Sequence, residues 1–294
     1  MSGRFAPSPT SALHLGNLRT AVVAWLLART TGREFRLRIE DLDVARVAAA
    51  PEVAARQVED LLALGLDFDG DVVWQSARLD AYGEAVSRLE TYECFCTRRE
   101  IAEAASAPHG DGYRPYSGTC RALGAAARER LRQSRPPALR VRADEASSTV
   151  TDLWVGEVTG VVDDFVLVRN DGTYAYNLAV VVDDLAMGID QLCRGDDLLS
   201  SSPRQAWLAR QLGGPAPTYA HVPLAVNASG KRLAKRDGAV TLADLEALDV
   251  TPAQVLTRIA ASLALASPDE PVTTAQLRSR FDPAALPRAP WVVS

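Results

Sequence analysis

The only two lysines of the chain, Lys231 and Lys235, lie within one short segment. The rest of its 32 basic residues are arginines, among them Arg232 and Arg236 in the same segment. A lysine ammonium is a compact point charge that suits a phosphate group, whereas the arginine fork is planar and wider. Chance could place two lysines on a solvated surface loop, but we interpret residues 227–238, hereafter the lysine loop, as a phosphate-binding element.

A histidine and a glycine mark the start of the first long helix, after a turn rich in proline. Apolar residues at helical spacing begin at Leu13, and the first turn contains His14 and Gly16. Unpaired N–H groups and the positive end of the helix dipole make such a start suitable for a phosphate. His14 adds a donor, and Gly16 lets a nucleotide base approach because it has no Cβ. With the lysine loop, this segment predicts a two-sided clamp for a triphosphate.

Three of the four cysteines, Cys94, Cys96 and Cys120, lie within 27 residues. In a chain without secretory features, such a cluster more often binds a metal than forms disulfides. Two close thiolates and a third from a glycine-rich segment can supply three corners of a zinc tetrahedron. Three reduced cysteines without a metal are the alternative. The isolated Cys193 is interpreted as a buried thiol.

The elements that carry these groups alternate as in a parallel α/β fold. The sequence predicts a strand over residues 3–6, a helix over 13–29 and a second strand over 35–39. The second strand ends in an acidic segment at residues 40–43. Open α/β sheets bind ligands at the carboxyl ends of their strands, so we expect the site there.

Further patterns continue this alternation, with one interruption. They predict helices over 52–64, 80–90 and 202–211 and strands over 139–142 and 165–169. The continuous apolar run at residues 178–182 predicts a strand buried on both faces. Residues 94–120 show little periodicity and are interpreted as an insertion, and the chain becomes helical after residue 241.

Length and composition exclude several classes of protein. With 294 residues, 47% of them hydrophobic and 23% charged, the chain has a globular composition and not that of a disordered or fibrous protein. A net charge of −5 argues against a protein that coats nucleic acid by charge alone. No window reaches the ~18 apolar residues of a membrane span, and no signal-like segment opens the chain. We expect a cytoplasmic protein without a membrane partner.

Four segments carry a resemblance to a known family: Arg-Phe-Ala-Pro-Ser-Pro-Thr at 4–10, Leu-His-Leu-Gly-Asn at 13–17, Arg-Ile-Glu-Asp-Leu-Asp at 38–43 and Lys-Arg-Leu-Ala-Lys-Arg at 231–236. In kind and order they resemble the catalytic core of class I glutamyl-tRNA synthetases. The resemblance implies an α/β fold with a Rossmann-like parallel sheet. It implies a catalytic domain over 1–240 with a zinc-binding insertion at about 91–123, followed by a helical, stem-contact-like region over 241–294.

The resemblance also implies a glutamate site. Glutamate has two carboxylates and one ammonium, so its pocket needs cations and an anion. Arg4 and Arg194 are expected to face carboxylates, and Glu40 is expected to receive the ammonium. Ala6, Ser8 and Tyr176 are expected to shape the pocket.

For ATP with Mg²⁺, the resemblance implies a site formed by His14, Gly16, Asn17, Arg232 and Lys235. The catalytic residues are expected to be His14 and Lys235. They would stabilise charge on the phosphate oxygens while a glutamate carboxylate attacks the α-phosphorus. The family usually has lysine in place of Arg232 and serine in place of Ala234. We expect these departures to affect the energetics of lysine-loop closing and not the identity of the loop.

The chain resembles most closely the shortened group within this family, the glutamyl-Q tRNA(Asp) synthetases. Only residues 241–294 follow the catalytic core, too few for an anticodon-binding domain, and Val180 stands where full-length enzymes favour asparagine. The group's cysteine pattern is also present, and its zinc ligands would be Cys94, Cys96, Tyr116 and Cys120. Tyr113 or His109 could replace Tyr116 as the fourth ligand.

This resemblance implies a monomer that activates glutamate and transfers it to the queuosine base in the anticodon arm of tRNA(Asp). Three alternatives are open at this stage. The chain could be a truncated glutamyl-tRNA synthetase that charges tRNA(Glu), or an inactive tRNA-binding relic. A pantothenate-type ligase would share the triphosphate clamp but would not need the segments at 4–10 and 38–43.

Overall fold

The computed structural model describes residues 1–43, 47, 50–97, 99–101, 115–231, 233 and 240–293. The strands of this part of the chain are β1 Ser2–Phe5, β2 Glu34–Ile39, β3 Val73–Trp74, β4 Thr91–Cys94, β5 Ala138–Val141, β6 Ser147–Asp152, β7 Gly156–Val161, β8 Val166–Val168, β9 Ile189–Gly195, β10 Thr218–Val222, β11 Ala225–Val226 and β12 Trp291–Val292. The helices are α1 Leu15–Thr30, α2 Ala50–Ala63, α3 Leu79–Ser87, α4 Ala125–Arg132, α5 Tyr176–Ala186, α6 Ser202–Gln211, α7 Leu242–Glu246, α8 Pro252–Ser262 and α9 Thr274–Arg280.

A seven-stranded sheet in the order β3-β2-β1-β9-β10-β6-β7 forms the centre of the fold. All pairings from β3 to β6 are parallel, and only β7 runs antiparallel, as the edge strand beside β6. The mostly parallel α/β sheet expected from the sequence is thereby confirmed. The chain leaves β1 toward β2 on one side, and β9 continues toward β10 on the other. This reversal places a crevice at the carboxyl ends of β1 and β9, where open α/β sheets bind ligands.

Helix α1 is apolar on nearly all sides because it is enclosed by other elements. It packs against β1 and β9 on one side and against α8 and α9 on the other. Its buried leucines and valines belong to one core together with Leu256, Ile259 and Leu277 of the C-terminal helices. The buried Arg19 is satisfied by hydrogen bonds to the Pro223 carbonyl oxygen at 2.7 Å and the Ser262 hydroxyl at 3.1 Å. The C-terminal helices therefore support the helix that begins at His14.

The strand predicted over residues 178–182 is wrong, because these residues lie within helix α5. A run of five apolar residues fits any fully buried element, and it carries no period that separates helix from strand. A helix and a strand place the two aspartates after the run differently. In a strand, Asp183 and Asp184 would point to opposite faces. In the helix both are buried, and both carboxylates lie close to the Arg38 guanidinium on β2.

A second, antiparallel sheet in the order β4-β5-β8 carries the cysteine-rich region. A small core beside it contains Tyr92, Phe95 and Tyr116 together with Cys94 and Cys120. Within the described ranges, no helix is both long and apolar enough to cross a membrane.

Candidate active site

A cleft of about 740 Å³ opens at the carboxyl ends of β1 and β9. Its volume lies within the range of small-molecule and cofactor sites. The cleft is lined by nine residues that the sequence assigned to glutamate or ATP: Arg4, Ala6, Ser8, His14, Gly16, Asn17, Glu40, Tyr176 and Arg194. Segments that are up to 190 residues apart in the chain thus meet at one site. Arg232 and Lys235 lie outside the described residues.

His14 caps the N-terminus of α1 with its own side chain. Its Nδ1 accepts hydrogen bonds from the backbone N–H groups of Gly16, at 3.1 Å, and Asn17, at 3.3 Å. The Asn17 side chain accepts in return from the His14 backbone N–H at 3.2 Å. Because Nδ1 is the acceptor, the proton of the neutral imidazole is on Nε2. The cap therefore fixes both the tautomer and the orientation of the ring.

Gly16, expected from the sequence to let a ligand approach, also lies in a tightly packed position. A Cβ at this position would lie 3.0 Å from both the Ala225 Cβ and the His14 Cε1. Contacts this short would displace either β11 or the imidazole ring. The glycine therefore keeps the histidine close to the helix start.

The described residues in and directly after the lysine loop lie beside the start of α1. The buried Leu233 lines the cleft and donates its N–H to the Ala225 carbonyl oxygen at 3.1 Å. On the other side of the loop, the Val240 carbonyl oxygen accepts from the Leu15 N–H at 3.1 Å. Lys231 is exposed, and its backbone is held by Asn227 through a hydrogen bond in each direction.

A buried charge network lies beneath the cleft. The Arg4 guanidinium donates to both Asp184 carboxylate oxygens, at 3.0 and 3.3 Å. Arg38, which is fully buried, contacts Asp184 at 2.5 Å and the Glu40 carboxylate at 3.0 Å. Burial acts to raise the pKa of Asp184, but Arg38 and Arg4 outweigh it and hold that pKa below its usual range.

The neighbouring Asp183 completes the network from the other side. Its carboxylate accepts from Gln75 at 2.8 Å, from the Tyr82 hydroxyl at 2.8 Å and from Arg78 at 2.5 Å. The sequence pattern does not identify either aspartate as part of the site, because it places both at the end of a predicted strand. One available signal was Arg38 itself, because an arginine in a central strand needs buried acidic partners.

Arg194 reaches the cleft from β9 with its side chain buried. It donates from Nε to His221, from Nη1 to Gln205, and from Nη2 to the Ser202 hydroxyl and the Leu198 carbonyl oxygen. Four of the five guanidinium N–H groups are used by these contacts. No carboxylate in the described ranges forms an ion pair with Arg194, so its positive charge is available to an anion in the cleft.

Tyr176 stands at the first position of α5, between two clefts. It lines the main cleft and also a second one of about 580 Å³, which borders Cys94, Cys96 and Arg140. Its side chain is exposed, so it does not fill the core.

The turn that carries Ala6 and Ser8 is held by hydrogen bonds to its backbone carbonyl oxygens. The Gln57 side chain donates to the carbonyl oxygens of Ser8, at 3.1 Å, and Ser11, at 2.7 Å. The Pro7 carbonyl oxygen accepts from the Glu40 N–H at 2.9 Å, which ties the turn to the end of β2.

The three clustered cysteines converge with Tyr116. Their sulfur atoms all lie within 4.8 Å of one another. The Tyr116 hydroxyl lies 3.5 Å from the Cys94 Sγ and 3.7 Å from the Cys96 Sγ, and it accepts the Cys120 N–H at 2.8 Å. Burial acts to raise the pKa of Cys94, but its interactions with Tyr116 and Arg140 outweigh burial and lower that pKa. The other candidate ligands, Tyr113 and His109, lie outside the described residues.

Comparisons with known proteins agree with this architecture. The family model of the class I tRNA synthetases (E and Q), catalytic domain, matches residues 1–293. The glutamyl-Q tRNA(Asp) synthetase of Nocardia farcinica is 56% identical over 298 residues, covering 100% of this chain and 93% of its own length. The protein of the same name from Cutibacterium acnes is also 56% identical, covering 92% of this chain and 78% of its own length.

A solved structure is similar over nearly the whole chain. It is a glutamate tRNA ligase from Elizabethkingia meningosepticum in complex with its amino acid, with a TM-score of 0.81 and 26% identity. The match covers 99% of this chain but 66% of that one, so the present chain spans about two thirds of that ligase. The chain therefore belongs to the class I tRNA synthetases for E and Q and, within them, to the family of the glutamyl-Q tRNA(Asp) synthetases.

Proposed function

We propose that this chain forms glutamyl-adenylate from glutamate and ATP and transfers the glutamyl group to the queuosine base in the anticodon of tRNA(Asp). The convergence of the nine predicted residues on one cleft carries the proposal. Three relatives that are 44–56% identical to this chain are named glutamyl-Q tRNA(Asp) synthetase, which supports the choice of acceptor.

Glutamate recognition is assigned to the base of the cleft. The groups that hydrogen-bond to Arg194 are neutral, so its positive charge is not compensated. Arg194 uses this charge to bind one carboxylate of the substrate. Arg4 faces the other carboxylate, and Asp184 keeps its guanidinium in place. Glu40 receives the ammonium, and Arg38 holds its carboxylate at the edge of the cleft. Ala6, Ser8 and Tyr176 shape the pocket around the substrate.

ATP activation is assigned to the two sides of the clamp. His14 donates from Nε2 to phosphate oxygens, while Gly16 and Asn17 border the nucleotide at the start of α1. Lys235, two positions in the sequence after the cleft-lining Leu233, is assigned the phosphate-binding role that the resemblance implies for it. Arg232 adds a second cation from the lysine loop.

In the reaction, a glutamate carboxylate oxygen bonds to the α-phosphorus of ATP. The bond between the α-phosphorus and the oxygen that it shares with the β-phosphorus breaks, and pyrophosphate leaves. Negative charge grows on the phosphate oxygens, and His14 and Lys235 stabilise it. Mg²⁺ bound with ATP offsets the charge of the pyrophosphate. A cyclopentene hydroxyl of queuosine then attacks the activated carbonyl carbon, and AMP leaves.

We also propose that Cys94, Cys96, Tyr116 and Cys120 hold a structural zinc ion. A tetrahedral zinc with bonds of about 2.3 Å to sulfur and about 2.0 Å to oxygen requires S···S separations near 3.8 Å and S···O separations near 3.5 Å. The observed 3.5 Å between Cys96 and Cys120, and 3.5 and 3.7 Å from Tyr116 to two sulfurs, fit these edges.

The substitution Cys96→Ser should reduce the zinc content of the purified protein from one ion per chain to nearly none. Elemental analysis measures this directly. The control Cys193→Ser changes a buried thiol on β9, outside the cluster, and should keep the zinc. Tyr116→Phe retains the ring over which Arg140 lies and should release zinc at a lower chelator concentration than wild type. A wild-type protein that neither contains zinc nor takes it up would contradict the assignment.

The activation step is tested by ATP–pyrophosphate exchange without tRNA. Glutamate should support exchange and glutamine should not. Glutamine has only one carboxylate, so it cannot bind both Arg4 and Arg194 through carboxylates. Failure of glutamate to support exchange at any concentration would show an inactive relic and would refute the proposed activity.

A further inference from the structure

A histidine and an aspartate that the proposed chemistry does not use lie directly behind Arg194. His221 on β10 is the register partner of Arg194 on the neighbouring parallel strand β9. Asp152, at the end of β6, lies on the other side of His221. The side chains of His221 and Asp152 are fully buried, so neither contacts the substrate itself.

The three side chains form one line of hydrogen bonds. One oxygen of the Asp152 carboxylate lies 2.7 Å from His221 Nδ1, within hydrogen-bond distance. The same oxygen accepts a hydrogen bond from the His221 backbone N–H at 3.0 Å. Its other oxygen accepts from the backbone N–H groups of Trp154 and Val155 at 2.8 and 2.9 Å. The ring's other nitrogen, Nε2, accepts the Arg194 Nε–H at 3.0 Å.

These contacts allow one protonation state of His221. Asp152 is an acceptor and Arg194 is a donor, so the proton must be on Nδ1 and the lone pair on Nε2. Burial, the largest effect, lowers the pKa of His221, and the hydrogen bond to Asp152 opposes this only in part. A neutral His221 orients the guanidinium without neutralising it. A carboxylate in the same position would form an ion pair with Arg194, as Asp184 does with Arg4, and would reduce the positive charge left for the substrate.

We propose that His221, fixed by Asp152, is the positioning residue that aims Arg194 at a glutamate carboxylate while leaving its charge for the substrate. This inference rests on the proposed function, in which Arg194 binds glutamate. The rest of the Arg194 environment supports this role, because Gln205 and Ser202 are also neutral acceptors. With the Leu198 carbonyl oxygen, these three acceptors use four of the five guanidinium N–H groups and leave one, on Nη1, for the ligand.

The test measures the KM for glutamate and for ATP separately by ATP–pyrophosphate exchange. His221→Leu removes the acceptor for Arg194, and Asp152→Asn presents a donor to Nδ1 and favours the wrong tautomer. Each should raise the KM for glutamate about tenfold to a hundredfold, as expected for a lost contact to a charged group. The KM for ATP should stay within about twofold of wild type. His221→Gln places an amide oxygen near the position of Nε2 and should restore most of the affinity for glutamate.

The matched control is Tyr219→Phe. The Tyr219 ring stacks on His221 at 5.9 Å, and its hydroxyl contacts only the Ser202 carbonyl oxygen among the described residues, at 3.4 Å. The variant keeps the stacked ring and should leave both KM values unchanged. In an Arg194→Met background, adding His221→Leu should change the KM for glutamate by less than about twofold, because the shared interaction is already absent.

Parallel rises in both KM values, or an undiminished effect of His221→Leu in the Arg194→Met background, would show a merely structural role and overturn the inference. If His221→Leu does not fold, the KM for glutamate and the KM for ATP are compared in the nearly isosteric variant Asp152→Asn instead. An unchanged KM for glutamate in a folded variant would overturn the inference alone. Absence of exchange in the wild-type protein would instead overturn the proposed function.

Discussion

The substitution His14→Asn should slow glutamate-dependent ATP–pyrophosphate exchange by about a hundredfold to a thousandfold, the usual cost of losing one donor to a developing charge. Asparagine is itself a favoured N-cap residue, so its side-chain oxygen can replace Nδ1 as acceptor for the Gly16 and Asn17 N–H groups. It has no group in the position of Nε2. The variant therefore separates the capping role of His14 from its proposed role toward phosphate.

Two measurements make this comparison decisive. The thermal unfolding midpoint of His14→Asn should stay near that of the wild type, while His14→Ala should lower it because the cap is lost. The exchange rate should fall in both variants. A His14→Asn variant with wild-type exchange would show that the imidazole serves α1 and not the reaction.

The substitution Asp184→Asn should lower the free energy of unfolding by about 3–5 kcal/mol, the typical cost of removing one partner from a buried ion pair. The carboxylate lies between Arg4 and Arg38, and both arginines are nearly inaccessible to solvent. Urea unfolding measures the effect. The matched control is Asp190→Asn, which breaks a partly exposed pair with Arg33 and should cost about 1 kcal/mol or less.

The same carboxylate gives a pH dependence with a defined sign. Because the pKa of Asp184 is lowered in the folded protein, its contribution to stability is complete above the ordinary aspartate pKa of about 4. That contribution is lost as the pH falls through this value toward the folded pKa. Asp184→Asn should therefore show a flatter decline of stability in acid than wild type. An Asp184→Asn variant as stable as Asp190→Asn would contradict the charge network described here.

Local patterns predict the part of the fold where the cleft begins. The first strand, the first helix and the second strand follow from hydrophobic spacing within 40 residues, and the structure has them at nearly the predicted bounds. Their order also indicated where the cleft would open, because parallel strands share one ligand-binding edge. The resemblance then supplied the remaining cleft residues, which no local pattern identifies.

The errors arose where long-range contacts decide the structure. Residues 178–182 lie in a helix that brings Asp183 and Asp184 to arginines on other elements, and a single short apolar run does not contain that information. His221 and Asp152 were missed for a similar reason. Each is an isolated polar residue in its own strand, and only the pairing of β9 with β10 and of β10 with β6 brings them behind Arg194.

The most direct test of the proposed function is the transfer of labelled glutamate to purified tRNA. We predict that the protein, with ATP and Mg²⁺, attaches glutamate to tRNA(Asp) that carries queuosine and not to the same tRNA with unmodified guanine. Digestion of the product should place the label on the anticodon nucleoside. Attachment of glutamate to the 3′ end of tRNA(Glu), or equal labelling of modified and unmodified tRNA(Asp), would contradict the account.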